Sequence, residues 1–156
     1  MARKRRSGKQ GVIPDPKYKS LLITQFVNGL FRRGKKSTGE SIFYSALDTI
    51  KERTGNEGLE VFEKAIDNVK PMVQVKSRRV GGQTYQIPIE VRYNERLALA
   101  IRWLISFAKQ RGEKTMAAKL AGEFIDASSG QGRSIQRREE VHRMAEANRA
   151  FAHYRW

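Results

Sequence analysis

Met72-Val73-Gln74-Val75-Lys76-Ser77-Arg78-Arg79-Val80-Gly81-Gly82-Gln83-Thr84-Tyr85-Gln86-Ile87-Pro88-Ile89-Glu90-Val91 is the part of the chain in which apolar residues recur with a period of two. Val73 and Val75 alternate with Gln74 and Lys76, and Tyr85, Ile87, Ile89 and Val91 alternate with Gln86, Pro88 and Glu90, a pattern of paired strands. Gly81-Gly82 between the two runs predicts a hairpin turn, because a two-residue turn demands positive φ angles. Pro88 removes a ladder donor, so the pair reads as an isolated ribbon or a sheet edge, not as the middle of a sheet.

On both sides of this stretch the period becomes helical. Upstream, Leu22, Ile23, Phe26, Val27, Leu30 and Phe31 predict a first helix from Ser20 to the loop Arg32-Arg33-Gly34-Lys35-Lys36. Ser37-Thr38-Gly39-Glu40 reads as a capping box for a second helix, which buries Ile42, Phe43, Ala46, Leu47 and Ile50 and stops near Gly55. Leu59, Phe62, Ala65, Ile66 and Val69 form a third stripe that ends before Pro71. Downstream, Leu97, Ala100, Ile101, Leu104, Ile105 and Ala108 predict a fourth helix, capped by Asn94 and closed by Gly112. A fifth begins near Thr115 and turns Leu120, Ala121, Phe124 and Ile125 inward; a linker from Ser128 to Arg138 leads to a sixth, using Val141, Met144, Ala145 and Asn148.

The expected fold is mainly α. A single domain of about six helices spans residues 20–150, with one protruding two-stranded β-ribbon at about 72–91 between helices three and four. A basic extended arm, residues 1–19, precedes it and a tail, residues 151–156, follows. The 156 residues are enough for one core that buries roughly two-thirds of the unfolded surface.

Charge narrows the function. Thirty-one Lys and Arg face 16 Asp and Glu, a formal +15, and such a chain repels itself unless a polyanion supplies the missing charge. A nucleic acid or an anionic membrane is the expected partner. A membrane-surface role needs a helix with an unpartnered apolar face, whereas these stripes need one another for a core. The longest apolar stretch, Leu97 to Phe107, is interrupted by Arg102 and too short to span a bilayer. No membrane partner is expected. No apolar run of signal-peptide length follows Met1 to Arg6, so no secretory leader is expected either.

The charge is also uneven. Asp48, Glu52, Glu57, Glu60, Glu63 and Asp67 make the second and third helices locally acidic, a surface expected to face away from RNA. The basic footprint is expected in the arm (Arg3, Lys4, Arg5, Arg6, Lys9), the first loop (Arg32, Arg33, Lys35, Lys36) and the ribbon with its flank (Lys76, Arg78, Arg79, Arg92). It continues through the fourth and fifth helices and their connection (Arg96, Arg102, Arg111, Lys114, Lys119). Lys35, Lys36, Arg78, Arg79, Arg92, Arg96 and Arg102 lead this set as phosphate contacts. One charge run is commonly just a solvated face; several with weak compensation ask for a polyanion. Tyr85 reads equally as a base-stacking side chain and as an ordinary cross-strand packing residue.

Catalytic motifs fail on inspection. Gly29 to Lys36 has nearly P-loop spacing, but Lys36 stands where Ser or Thr should ligate magnesium and a helix precedes it. Gly81-Gly82-Gln83 has the tripeptide of translation release factors, yet it occupies a turn that needs glycines for its backbone. Cysteine is absent, which removes disulfide and thiolate chemistry and permits a reducing cytoplasm. His142 and His153 cannot alone make a metal site, and sequential Glu139 and Glu140 point apart on a helix. No active site, cofactor, metal or small-molecule substrate is expected. From the residues alone, ribosomal binding and a DNA-architectural or RNA-chaperone role stand side by side; the latter often has an apolar or proline wedge at a ribbon tip, where this chain has Val80-Gly81-Gly82-Gln83.

Several strings together resemble bacterial-type small-subunit ribosomal protein seven. They are Ser20-x-Leu22 with Phe26-Val27, Gly34-Lys35-Lys36, Ile42-Phe43 and Ala46; then Val69-Lys70-Pro71, Ser77 to Gly82 and Tyr85 to Pro88; and the ending Met144 to Trp156. The resemblance covers essentially the whole chain. It implies six helices with a β-ribbon, direct binding to the 3′ major domain of 16S-type small-subunit rRNA, and nucleation of the subunit head. It further implies an exit-site tRNA beside the ribbon and last helix (Arg79, Gly81, Gly82, Tyr85, His142, Arg143) and contacts with ribosomal proteins nine and eleven through Arg149, Tyr154, Arg155 and Trp156. Some proteins of this kind repress their own messenger RNA. The implied location is the ribosome of a cytoplasm or, in an organelle, a plastid stroma.

Overall fold

A computed structural model describes residues 11–154, so arm residues Arg3, Lys4, Arg5, Arg6 and Lys9 and tail residues Arg155 and Trp156 lie outside the described residues. The elements are α1 (Leu21–Leu30), α2 (Lys36–Thr54), α3 (Gly58–Val69), β1 (Val73–Val80), β2 (Gln83–Glu90), α4 (Tyr93–Lys109), α5 (Met116–Ser128) and α6 (Arg133–Ala147). A short 3-10 turn, Arg149–Tyr154, follows. The mainly helical fold with a ribbon between the third and fourth helices is as the periodicity predicts.

The core forms where the apolar stripes of α1, α2, α3 and α5 meet. Phe26, Phe43, Phe62 and Phe124 come from these four helices, and each is fully buried. Their rings meet edge-on or tilted: Phe62 lies 5.0 Å from Phe43, 5.3 Å from Phe26 and 5.1 Å from Phe124 between centroids. Such pairs add stabilisation beyond the apolar area they bury. Helix α5 packs against α2, α3 and α4, which explains its stripe of small residues; Ala121 and Ala127 are both fully buried. At Gly58 a Cβ would lie 2.5 Å from the Leu47 carbonyl oxygen, so α3 can start against α2 only because a glycine stands there.

Helix boundaries differ from the sequence reading in several places, among them the end of α4, which is Lys109 with Gln110 as its cap and not Gly112. The Ser37 capping box does not form: α2 begins at Lys36, with Lys35 as N-cap and no side-chain cap. The left-handed pair Arg33 (φ 56°) and Gly34 (φ 76°) turns the chain early, and Gly39 N–H already bonds the Lys35 carbonyl. Asn94 likewise sits inside α4; the cap position belongs to Arg92, whose carbonyl accepts the N–H groups of Glu95 and Arg96, each at 2.9 Å. The linker expected over 128–138 shrinks to residues 129–132, because Gly130 and Gly132 adopt positive φ and α6 already starts at Arg133. Thr115 does cap α5, its hydroxyl accepting from Ala118 N–H at 3.2 Å.

Part of the expected arm is folded. Asp15 is buried and accepts from the N–H groups of Lys17 and Tyr18, while Tyr44 of α2 donates its hydroxyl to Asp15 Oδ1 at 2.5 Å. Burial and then this bond push the Tyr44 hydroxyl far above the ordinary tyrosine range, so it stays a donor. Thr24 adds a bond to the Ile13 carbonyl at 2.9 Å. Residues 13–18 thus close on α1 and α2, within the stretch the sequence reads as an extended arm.

The ribbon is an isolated antiparallel pair in register Val73 with Glu90 through Val80 with Gln83, and Pro88 faces Val75. Gly81 (φ 58°) and Gly82 (φ 89°) make the turn as expected. Its root is pinned by long-range bonds: Met72 N–H donates to His142 Nε2 of α6 at 3.0 Å, and Arg96 of α4 donates to the Val91 carbonyl at 2.7 Å and to Glu90 at 3.1 Å. Of the residues read as a tail, Phe151 and Tyr154 fold back onto β2. Their rings lie 5.3 and 5.4 Å from Tyr85.

Candidate nucleic-acid interface

Helices α1 and α4 lie side by side, and between them runs an open groove of about 660 Å³. Gly29 allows the approach, since a Cβ there would meet Ile101 Cγ2 at 3.0 Å. Helical spacing puts Gln25, Asn28 and Gly29 of α1 along one wall, continued by Arg32 in the loop, and Asn94, Ala98, Arg102, Ser106 and Lys109 of α4 along the other, with Leu97, Ile101 and Ile105 below. Arg32 and Lys109 also line a second groove, beside Lys35 and Thr38, so the basic track continues onto the start of α2. No ion pair within the described residues engages Arg32, Arg33, Lys35, Arg92, Arg102, Lys109 or Lys114. None of the six acids of residues 48–67 lines either groove, although all six are exposed.

Other expected phosphate contacts are already engaged. Arg111 bonds Glu113 at 2.9 Å, Glu123 at 3.1 Å and Asp126 at 2.6 Å, and Glu123 is 1 % exposed. Burial opposes the Arg111 charge, but the three carboxylates outweigh it and hold the guanidinium firmly protonated. Arg111 in turn holds the Glu113 carboxyl below its usual range. Glu123 also accepts from Ser134 Oγ at 2.6 Å and from Ser134 N–H at 3.2 Å, so this cluster ties the end of α4, α5 and the start of α6 together. Arg111 therefore serves the fold, with Glu113 in the connection after α4 and Glu123 and Asp126 on α5. Arg96 is likewise committed to the ribbon root, its side chain only 19 % exposed.

The remaining basic residues are more open. Lys36 has a loose contact with Glu40 at 3.7 Å and Lys76 one with Glu95 at 3.9 Å. Arg79 donates to the Gly82 carbonyl across the ribbon tip at 3.3 Å, and Arg78 pairs in register with Tyr85. Lys119 donates to the Lys109 carbonyl at 3.3 Å. Tyr85 has its ring against Phe151 and Tyr154 of the 3-10 turn and its hydroxyl on Gln83 at 2.8 Å. His142 accepts from Met72, and burial followed by the nearby Arg138 charge depresses its pKa from the ordinary 6.5, favouring the neutral ring that this bond requires. Arg143 lies on the exposed side of α6.

Sequence reasoning missed the amides Gln25, Asn28 and Asn94. The available signal was their helical spacing opposite the buried stripe, beside a glycine. It also missed Tyr93, 71 % exposed at the start of α4 with Lys70 Nζ 5.8 Å from its ring centroid.

A grooved basic face on a helical domain is the geometry of polyanion binding, and no metal-ligating cluster occurs among the described residues. The family model described as ribosomal protein S7p/S5e matches residues 2–149 of this chain. The chain belongs to that family. Similar proteins are named small ribosomal subunit protein uS7. One from Anaeromyxobacter sp. (strain Fw109-5) is 56 % identical over 156 residues, covering 100 % of both chains. Those from Syntrophus aciditrophicus (strain SB) and Vibrio vulnificus (strain YJ016) are each 58 % identical over the same full length. Membership of the S7p/S5e family makes the chain a structural ribosomal protein of the small subunit and not an enzyme, and implies binding to rRNA. Among the described residues no helix is long and apolar enough to cross a membrane.

Proposed function

We propose that this chain binds the 3′ major domain of small-subunit rRNA directly and nucleates assembly of the subunit head. The observation that carries the reading is the α1–α4 groove, which Arg32, Arg102 and Lys109 line without carboxylate partners among the described residues. Such cations release counterions when they meet phosphates, and their fixed spacing on α4 and the loop after α1 favours one RNA geometry over others. Lys35 and Lys36 extend the contact along the first loop, and Lys76, Arg78, Arg79 and Arg92 extend it along the ribbon. The basic residues Arg3 to Lys9, outside the described residues, add phosphate contacts to this face.

The ribbon tip (Arg79, Gly81, Gly82) and α6 (His142, Arg143) lie beside the exit-site tRNA, and the end of the chain from Arg149 through Tyr154 to Trp156 meets ribosomal proteins nine and eleven. Repression of the chain's own messenger would use the same basic face and compete with rRNA. The test is ordered reconstitution: with naked 3′ major domain RNA, this chain alone should protect a multi-helix junction from hydroxyl radicals, and the other head proteins should then bind more tightly. Protection that appears only after other proteins are added would overturn the primary-binding role.

A further inference from the structure

We propose that the α1–α4 groove seats one unpaired nucleobase of the bound RNA, with the amides of Gln25, Asn28 and Asn94 reading its edge. This rests on the rRNA-binding reading above and goes beyond it, because phosphate neutralisation alone gives no reason for the groove's construction. A surface that meets only phosphates needs cations on a polar rim. This groove has an apolar floor, Leu97, Ile101 and Ile105, in an opening of about 660 Å³. Both Ile101 and Ile105 are nearly fully buried from within the core yet still line the groove, so the floor is rigid. A paired base hides its faces in the stack and its edge in the pair; a splayed base offers a flat apolar face and a row of donors and acceptors together.

The rim matches that chemistry. Each amide presents donors and an acceptor, and none of the three forms a side-chain hydrogen bond with the described residues. Arg32, Arg102 and Lys109 line the same groove, so the phosphates of the strand that carries the inserted nucleotide meet cations along it. Ala98, exposed on the α4 wall, is small and leaves room for the base. A side chain from a neighbouring protein is the other occupant that an apolar floor would accept, but three cations at the rim favour the polyanion's own base.

The experiment uses the full chain and 3′ major domain RNA with no other protein. Ala98→Leu fills the groove without changing charge at an exposed helical position. It should lower affinity about tenfold while leaving the salt slope unchanged. Dimethyl sulfate probing should find an unpaired base whose pairing edge the wild-type chain protects and the Ala98→Leu chain leaves reactive, with backbone protection around it retained. Gln25→Ala combined with Asn28→Ala should reopen the same base, which keeps the test decisive should Ala98→Leu disturb the helices. Equal affinity and unchanged base reactivity in both variants would overturn the base site while leaving the rRNA reading intact. A wild-type chain that shows no preference for this RNA would overturn that reading first, and the base site with it.

Discussion

Arg102 and Arg111 sit within and just beyond the same helix, look alike in sequence, and do opposite things. Arg102 stands on a groove wall with no ion pair among the described residues, and its charge is open to a partner. Arg111 is enclosed by Glu113, Glu123 and Asp126, and its charge serves the chain's own fold. The comparison teaches that a net charge of +15 is a sum over two populations. Only the cations left without acids within the fold contribute to a polyanion interface, and only tertiary structure tells the two apart.

The largest expected effect separates the regions outright. Arg111→Met leaves Glu123 buried without its counter-charge, and urea denaturation should show a loss of roughly 2–4 kcal/mol, below the full value for a buried pair because Arg111 keeps partial solvent contact. At a temperature where the variant is folded, its RNA salt slope should match the wild type. Next, replacing Arg32, Arg102 and Lys109 together by Ala should lower RNA affinity roughly a hundredfold at moderate salt and flatten the log–log salt slope by about 2–3, with folding stability nearly unchanged. If Arg111→Met flattened the slope, or the triple variant melted the fold, the division between the two populations would collapse.

Smaller effects sharpen the account of how the helices are held. Thr115→Ala should cost about 1 kcal/mol in thermal or chemical unfolding, whereas Ser37→Ala should change stability by only a few tenths, because one hydroxyl caps a helix and the other does not. The ribbon root adds a pH dependence. His142 accepts from Met72 as a neutral ring and its native pKa is depressed from 6.5, so the unfolded chain takes up the proton first. The contribution is present above that ordinary value and is lost as pH falls below it. Thermal midpoints measured at about pH 7 and about pH 5 should therefore fall further for the wild type than for His142→Gln.

The elements that could be read from sequence are those whose cause is local. The ribbon was legible because strand alternation and Gly81-Gly82 lie within one short stretch, and α3 because Leu59 to Val69 keep a helical stripe up to Pro71. Arg111 and Arg96 were not, since Glu123, Asp126 and the Val91 carbonyl come from other elements. The caps at Ser37 and Asn94 failed for a related reason: residues with strong cap preference were overruled by the backbone turn at Arg33-Gly34 and by Arg92 at the ribbon's end. The fold of residues 13–18 was not legible either, since the partner of Asp15 is Tyr44 on α2, outside any local pattern. The basic loop and α4 were found as candidates by charge alone, but that they share a groove depends on Gly29, whose role appears only when α1 meets Ile101.

The central claim is that the unpaired cations select one RNA, and the most direct measurement is binding across a salt series to the 3′ major domain RNA, a scrambled RNA and duplex DNA of equal length. The account predicts tight binding to the ribosomal domain alone that survives near-physiological salt. Equal binding to all three, collapsing together as salt rises, would contradict it and leave a polyanion binder without a chosen partner.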